Sequence, residues 1–239
     1  TSQFQVKLTG DARQYTEKDK LLSARMYKAI TMILFKLEGQ KVLRRPEYGM
    51  EDRALLHRIN YENKTINIEG VDYPLLDCDF PTVDPENPYE LTAEESHVID
   101  QLTESFRHSE KLQKHVRFLY SKGGLYKTIN SNLLFHASVP LNADGSLREG
   151  EIDGTTYCGC ELMQQIELKM RTAFPSPYGE SAKSTARDFF WYLWCGPDSP
   201  LFDKSRMTTF ERYFVADKAT HEEHKNAYYS FLDDEHTAR

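Results

Sequence analysis

Asn132-Leu-Leu-Phe-His136-Ala-Ser-Val-Pro140-Leu-Asn142-Ala-Asp144-Gly145 is the stretch on which the reading of the whole chain turns. Leu133 to Val139 predicts a short buried strand: it is apolar, follows an Asn-Ser-Asn turn, and is closed by Pro140 and then Asp144-Gly145. His136 then falls near the strand's carboxyl end, where its ring emerges beside a loop. A neutral imidazole held rigidly in that way is a good ligand for a divalent ion. One satisfied by a backbone carbonyl binds nothing, and the strand alone does not decide between the two.

Outward from this strand, helices dominate. Leu125 to Ile129 predicts the strand that returns through Asn130-Ser131 into the histidine strand. Before it, the capping box Thr92-Ala-Glu-Glu95 opens what reads as one long helix ending ahead of Gly123-Gly124. Its inward residues are Val98, Leu102, Phe106, Leu112, Val116 and Leu119. Thr16-Glu-Lys-Asp19 opens an earlier helix that Gly39 should end, with Leu22, Met26, Ala29, Ile30, Ile33, Leu34 and Leu37 facing inward. A short helix is expected over residues 51–58. A hairpin is expected at 65–73, turning at Glu69-Gly70.

Downstream, the signal is weak between Gly145 and Gly159. Helices are then expected at 161–173, 184–194, 208–214 and from Thr220 onward, with a break at Pro175, Pro177 and Gly179. The fold class is α+β: a predominantly helical segment with a few β-strands. Four regions follow: a flexible lead-in at 1–15, a mostly helical insertion with a small hairpin at 16–120, core strands at 121–157, and a helical region at 158–239.

The net charge of -7 argues against nucleic acid or an acidic membrane as partner, and no apolar run is long enough to span a bilayer. Four cysteines without disulfide-like spacing suit a reducing cytoplasm. Cys158-Gly-Cys160 has poor spacing for tetrahedral zinc, and His221 with His224 reads as part of a solvated face. Lys111, Lys114, Arg117 and Lys122, with Arg206 and Arg212, are candidate counter-charges for a sugar phosphate.

The longer runs carry a resemblance. Ser109-Glu-Lys-Leu-Gln-Lys-His-Val-Arg-Phe-Leu-Tyr-Ser-Lys-Gly-Gly-Leu-Tyr126 and the histidine stretch itself closely resemble the bacterial class III fructose-1,6-bisphosphatases. Phe190-Trp-Tyr-Leu-Trp-Cys-Gly-Pro-Asp-Ser-Pro-Leu-Phe202, Met207-Thr-Thr-Phe-Glu-Arg-Tyr-Phe214 and Phe80-Pro-Thr-Val-Asp-Pro85 fit the same family, as do the shorter Phe35-Lys-Leu-Glu-Gly39 and Arg44-Arg-Pro-Glu47. The resemblance implies a calcineurin-like metallophosphoesterase whose β-sandwich holds two divalent ions, manganese in this branch. It also implies hydrolysis of fructose 1,6-bisphosphate to fructose 6-phosphate and phosphate, a gluconeogenic step, with His136 as a metal ligand.

Ala137 stands where the family commonly has Gly, and Ala227 where relatives often have Pro. The family's Asp-x-His, Gly-Asp-x-x-Asp-Arg, Gly-Asn-His-Asp and final Gly-His motifs are not in this sequence, and His236 lacks a preceding Gly. The chain therefore reads as an internal piece of a longer enzyme, inactive alone. The alternative is a non-catalytic helical interaction or oligomerisation domain on the same scaffold. Unpartnered strand edges make a homo-oligomer a further expectation.

Overall fold

The computed structural model describes Phe4, residues 16–173 and residues 180–232. Apart from Phe4, the expected lead-in lies outside the described residues, as do the 175–179 break and His236. Two compact units divide the chain: residues 1–102 with 208–222, and residues 103–207 with 223–239. The α+β expectation holds.

The first unit begins with α1 (Glu17–Arg44). Its predicted capping box is present: Thr16 Oγ1 accepts from the Asp19 amide at 3.2 Å, and Asp19 accepts from the Thr16 amide at 2.9 Å. Gly39 does not end this helix. A Cβ there would sit 2.1 Å from the Tyr89 ring, so glycine serves close packing, and the helix stops before Pro46. The buried face is also rotated from the expected one. Of the expected face Ile33 is buried, but burial otherwise runs through Ala24, Thr31, Met32, Phe35, Gly39 and Val42, while Leu22, Met26, Ile30 and Leu34 are exposed. Phe35 fixes that rotation by packing edge-on against Phe210 at 5.3 Å, in a cluster that Phe80 and Phe214 extend.

Residues 51–58 form two 3-10 turns instead of a short helix. Three antiparallel strands follow: β1 (Ile59–Asn60), β2 (Thr65–Ile68) and β3 (Val71–Pro74), in that order across the sheet. The predicted hairpin is in register, with Ile66 opposite Tyr73 and Ile68 opposite Val71. Ile66 and Ile68 are buried.

Two buried ion pairs brace this unit. Lys36 donates to Glu95 at 2.7 Å, which also caps α2 (Ala93–His108) by accepting from the Thr92 amide at 2.9 Å. Arg53 donates to Glu211 at 2.8 Å.

The expected single long helix is two. Ser109 breaks it, its hydroxyl accepting from the Leu112 amide at 3.4 Å and starting α3 (Glu110–Lys122). Val98, Leu102, Phe106 and Leu119, expected to face inward, are exposed.

In the second unit, β4 (Tyr126–Ile129) and β5 (Asn132–Phe135) form a two-stranded hairpin. Asn130 and Ser131 both have positive φ, as a two-residue hairpin turn requires. A second hairpin, β6 (Glu149–Ile152) and β7 (Thr155–Cys158), occupies the stretch where the sequence signal is weak. It packs on α4 (Gly159–Thr172), which neighbours α5 (Glu180–Cys195).

The last helix, α6 (Thr209–Phe214), belongs to the first unit. The helix expected from Thr220 onward is instead two 3-10 turns among the described residues, Lys218–His221 and Ala227–Ser230. No described helix is long and apolar enough to cross a membrane.

Candidate functional site

His136 lies one residue beyond β5, at the start of a loop, and its side chain is exposed. The strand that delivers it is shorter than expected and is not buried. Leu133 and Leu134 are 45% and 53% exposed, and among the described strands β5 pairs only with β4. Burial resumes two residues after the histidine, at Ser138 and Pro140.

What holds this loop comes from far along the chain. The Tyr229 hydroxyl sits between the Ala137 carbonyl, 3.2 Å away, and the Asp203 carboxylate, with which it makes a short hydrogen bond. Its one proton serves these two acceptors, and donation to Asp203 pushes the Tyr229 hydroxyl up to about 12. Ser138 donates its amide to the Pro200 carbonyl at 3.4 Å. The Ser138 side chain is fully buried, and its hydroxyl has no hydrogen-bond partner among the described residues.

The Asp203 end is itself tied down. Its backbone carbonyl accepts from the Asn226 amide at 2.8 Å, and Asn226 caps the turn that presents Tyr228 and Tyr229. The backbones of Lys204 and Lys225 pair in an antiparallel β-bridge, the Lys204 side chain pairs with Glu223 at 2.9 Å, and Lys225 lies over the Tyr229 ring at 4.9 Å. Tyr228 meets Phe135, the last residue of β5, edge-on at 5.6 Å. Within the second unit the structure therefore brings residues 135–138 together with residues 200–204 and 225–229.

The other sequence candidates fall elsewhere. Lys111, Lys114, Arg117 and Lys122 are exposed along α3, with no ion pair to a described residue. Arg206 is half-buried in the second unit; Arg212 belongs to the first, where its Nη2 donates to the His221 carbonyl at 3.0 Å. His221 Nε2 lies 3.0 Å from the carbonyls of both Glu211 and Val215, so its ring is satisfied by backbone. Cys158 and Cys160 are exposed free thiols.

Among the described residues, no group of three or more His, Cys, Asp or Glu side chains is placed to hold a metal ion. Around the histidine loop the carboxylates are already engaged, Asp203 by Tyr229 and Glu223 by Lys204. One imidazole without a grouped set of further ligands among the described residues does not make up a divalent-cation site, mononuclear or dinuclear.

Over residues 1–239 the sequence matches the family described as Firmicute fructose-1,6-bisphosphatase. The chain belongs to this family. A Porphyromonas gingivalis protein named fructose-1,6-bisphosphatase class 3 is 49% identical over 228 residues, which is 95% of this chain and 35% of that protein. Proteins of the same name from Alkaliphilus metalliredigens and Clostridium tetani are 50% identical over 227 residues and 52% identical over 219. Those matches cover 94% and 92% of this chain, and 34% and 33% of the two relatives. The chain thus spans about a third of the length of the curated relatives it matches. No solved structure matches it.

Asp203 and Tyr229 are the residues that sequence reasoning missed. Tyr229 lies in the Lys225-Asn226-Ala227-Tyr228-Tyr229 run already singled out by the family resemblance, but nothing local in that run points back to residue 137.

Proposed function

We propose that this chain is a segment of a metal-dependent fructose-1,6-bisphosphatase, hydrolysing fructose 1,6-bisphosphate to fructose 6-phosphate and phosphate in the cytoplasm. The observation that carries this reading is near 50% identity, across almost the whole segment, to proteins bearing that name. Within it, His136 is one ligand of a divalent centre, manganese being the expected ion, and the remaining ligands come from residues other than those described. No catalytic step is derived from the described residues, because they do not fit a complete cation site. What this segment contributes is position: Tyr229, Asp203 and Pro200 fix the backbone on either side of the Ala137–Ser138 peptide, and so fix where the neighbouring imidazole can reach.

Arg206 remains a basic candidate for a substrate phosphate in the unit that holds His136. Lys111, Lys114, Arg117 and Lys122 lie in that unit too, on α3, and Arg212 lies in the other.

The test compares the intact enzyme with its His136→Ala variant in the presence of manganese. Turnover should fall by a factor of about 100 or more, and bound manganese, counted after gel filtration, should fall with it, while the melting temperature holds. Unchanged turnover and metal content would reduce His136 to a loop residue. The 239-residue chain alone should hydrolyse no more sugar bisphosphate than a buffer blank. The second reading, an interaction or oligomerisation domain, is favoured by the exposed apolar side chains on α2 and α3.

A further inference from the structure

Charge along this chain is segregated. Residues 65–106 carry eleven Asp and Glu and no Lys or Arg, whereas residues 107–127 carry six Lys and Arg and one acid, Glu110. On α3, Lys111, Lys114, Phe118 and Lys122 follow at spacings of three, four and four, which aligns them on one face of the helix. Phe118 is 63% exposed, so this face presents an aromatic ring in a row of lysines.

Single apolar residues on a surface need no explanation. A solvent-facing phenylalanine in a row of lysines that pair with no described residue sets one apolar side chain within a band of positive charge, and a partner surface has to answer both.

The first unit holds a surface of the opposite character. An open cleft of about 420 Å³ is walled by Leu43, Pro88 and Tyr89 and bordered by Glu86 and Glu90. Neither glutamate side chain is hydrogen-bonded or ion-paired to a described residue, and Leu43 is 58% exposed. The wall is rigid: Tyr89 is buried against Gly39, its hydroxyl lies 2.7 Å from His57 Nδ1, and its carbonyl accepts from Gln40 at 2.6 Å. A preformed open cleft with Leu43, Pro88 and Tyr89 as its apolar wall, His57 and Asn87 beside them and two carboxylates at its border suits an aromatic side chain accompanied by lysines.

We infer that this chain self-associates, Phe118 of one copy entering the Leu43–Tyr89 cleft of a second copy while Lys111, Lys114 and Lys122 pair with Glu86 and Glu90. The complementary surface is found on the same chain, which is why the occupant is a second copy and not an anionic membrane or a phosphate ligand. The inference does not depend on the role of His136. Because the two surfaces differ, the contact is heterologous, and it closes only if the rotation relating the copies allows it.

Sedimentation velocity on the 239-residue chain tests this across a range of concentrations. The wild type should show concentration-dependent association that weakens strongly between about 0.01 M and about 1 M salt, as the screening length falls from about 30 Å to about 3 Å. Phe118→Ala should weaken it by roughly tenfold or more. Lys111→Glu with Lys114→Glu should be monomeric, and so should Glu86→Lys with Glu90→Lys, while an equimolar mixture of the two restores a heterologous complex. All these side chains are exposed, so both double variants should melt with the wild type. A wild type that stays monomeric at every concentration and salt overturns the inference, as does association that survives either charge reversal. Binding of α3 to anionic vesicles or to inorganic phosphate without self-association would assign the basic face to that ligand and equally overturn it.

Discussion

The β1–β3 sheet and the β4–β5 hairpin are built from similar short antiparallel strands, yet they have opposite fates. In the first, Ile66 and Ile68 are almost wholly removed from water, with the Leu56–Arg58 turn against their strand. In the second, Ile129, Leu133 and Leu134 are each more than two-fifths exposed. Both obey the same turn chemistry, with left-handed residues at Glu69-Gly70 and at Asn130-Ser131. The difference lies in what covers them. Strand formation is a local decision, whereas burial depends on an element elsewhere in the chain offering a face.

The largest expected effect tests how strongly the first region is braced. Arg53→Ala leaves Glu211 fully buried without its guanidinium and should destabilise the chain by about 3–5 kcal/mol in urea unfolding. A loss below about 1 kcal/mol would mean that water already satisfies that carboxylate.

Next comes the comparison itself. Ile66→Ala should cost about 2–5 kcal/mol through transfer and cavity terms, whereas Leu133→Ala on the hairpin should stay within about 0.5 kcal/mol. Equal losses would show that the hairpin is covered in solution, as association through its faces would produce.

The smallest effect is a pH dependence. Burial pushes the Glu38 carboxyl up to about 7 from 4.5, with the nearby Glu211 adding to the rise and Arg53 opposing it. A carboxyl whose folded pKa lies above its unfolded one favours the fold while protonated. Its contribution is complete below about 4.5 and is lost as pH rises through about 7. Over that window the wild type should lose on the order of 1–3 kcal/mol relative to Glu38→Gln. Parallel stability curves for the two proteins would remove Glu38 from the account.

Much of the helical frame was legible because its signals are local. Thr16 with Asp19, and Thr92 with Glu95, each announce a helix within four residues, and both capping boxes are present. The face of α1 was not legible. The helix is apolar on more than one side, and only the approach of Phe210 selects Phe35 over Leu34. Gly39 reads as a terminator until Tyr89 is seen lying against it. The β6–β7 hairpin escaped notice because its strands are polar, although Asp153-Gly154 supplies the left-handed turn. At the site, the position of His136 just past a strand could be read from the sequence. The hydroxyl that steadies its neighbour lies 92 residues later, and contacts of that range leave no periodic trace in either segment.

That long-range tie fastens two segments of the second unit, and the chain between them also passes through the first unit at residues 208–222. A single protease cut in an exposed loop between residues 137 and 229 would leave both ends fastened, so the nicked halves should still migrate together under native conditions. Deleting the tail before Tyr229 would unlatch the histidine loop without touching it, which makes residue 229 the shortest defensible carboxyl boundary for any shortened version of this unit.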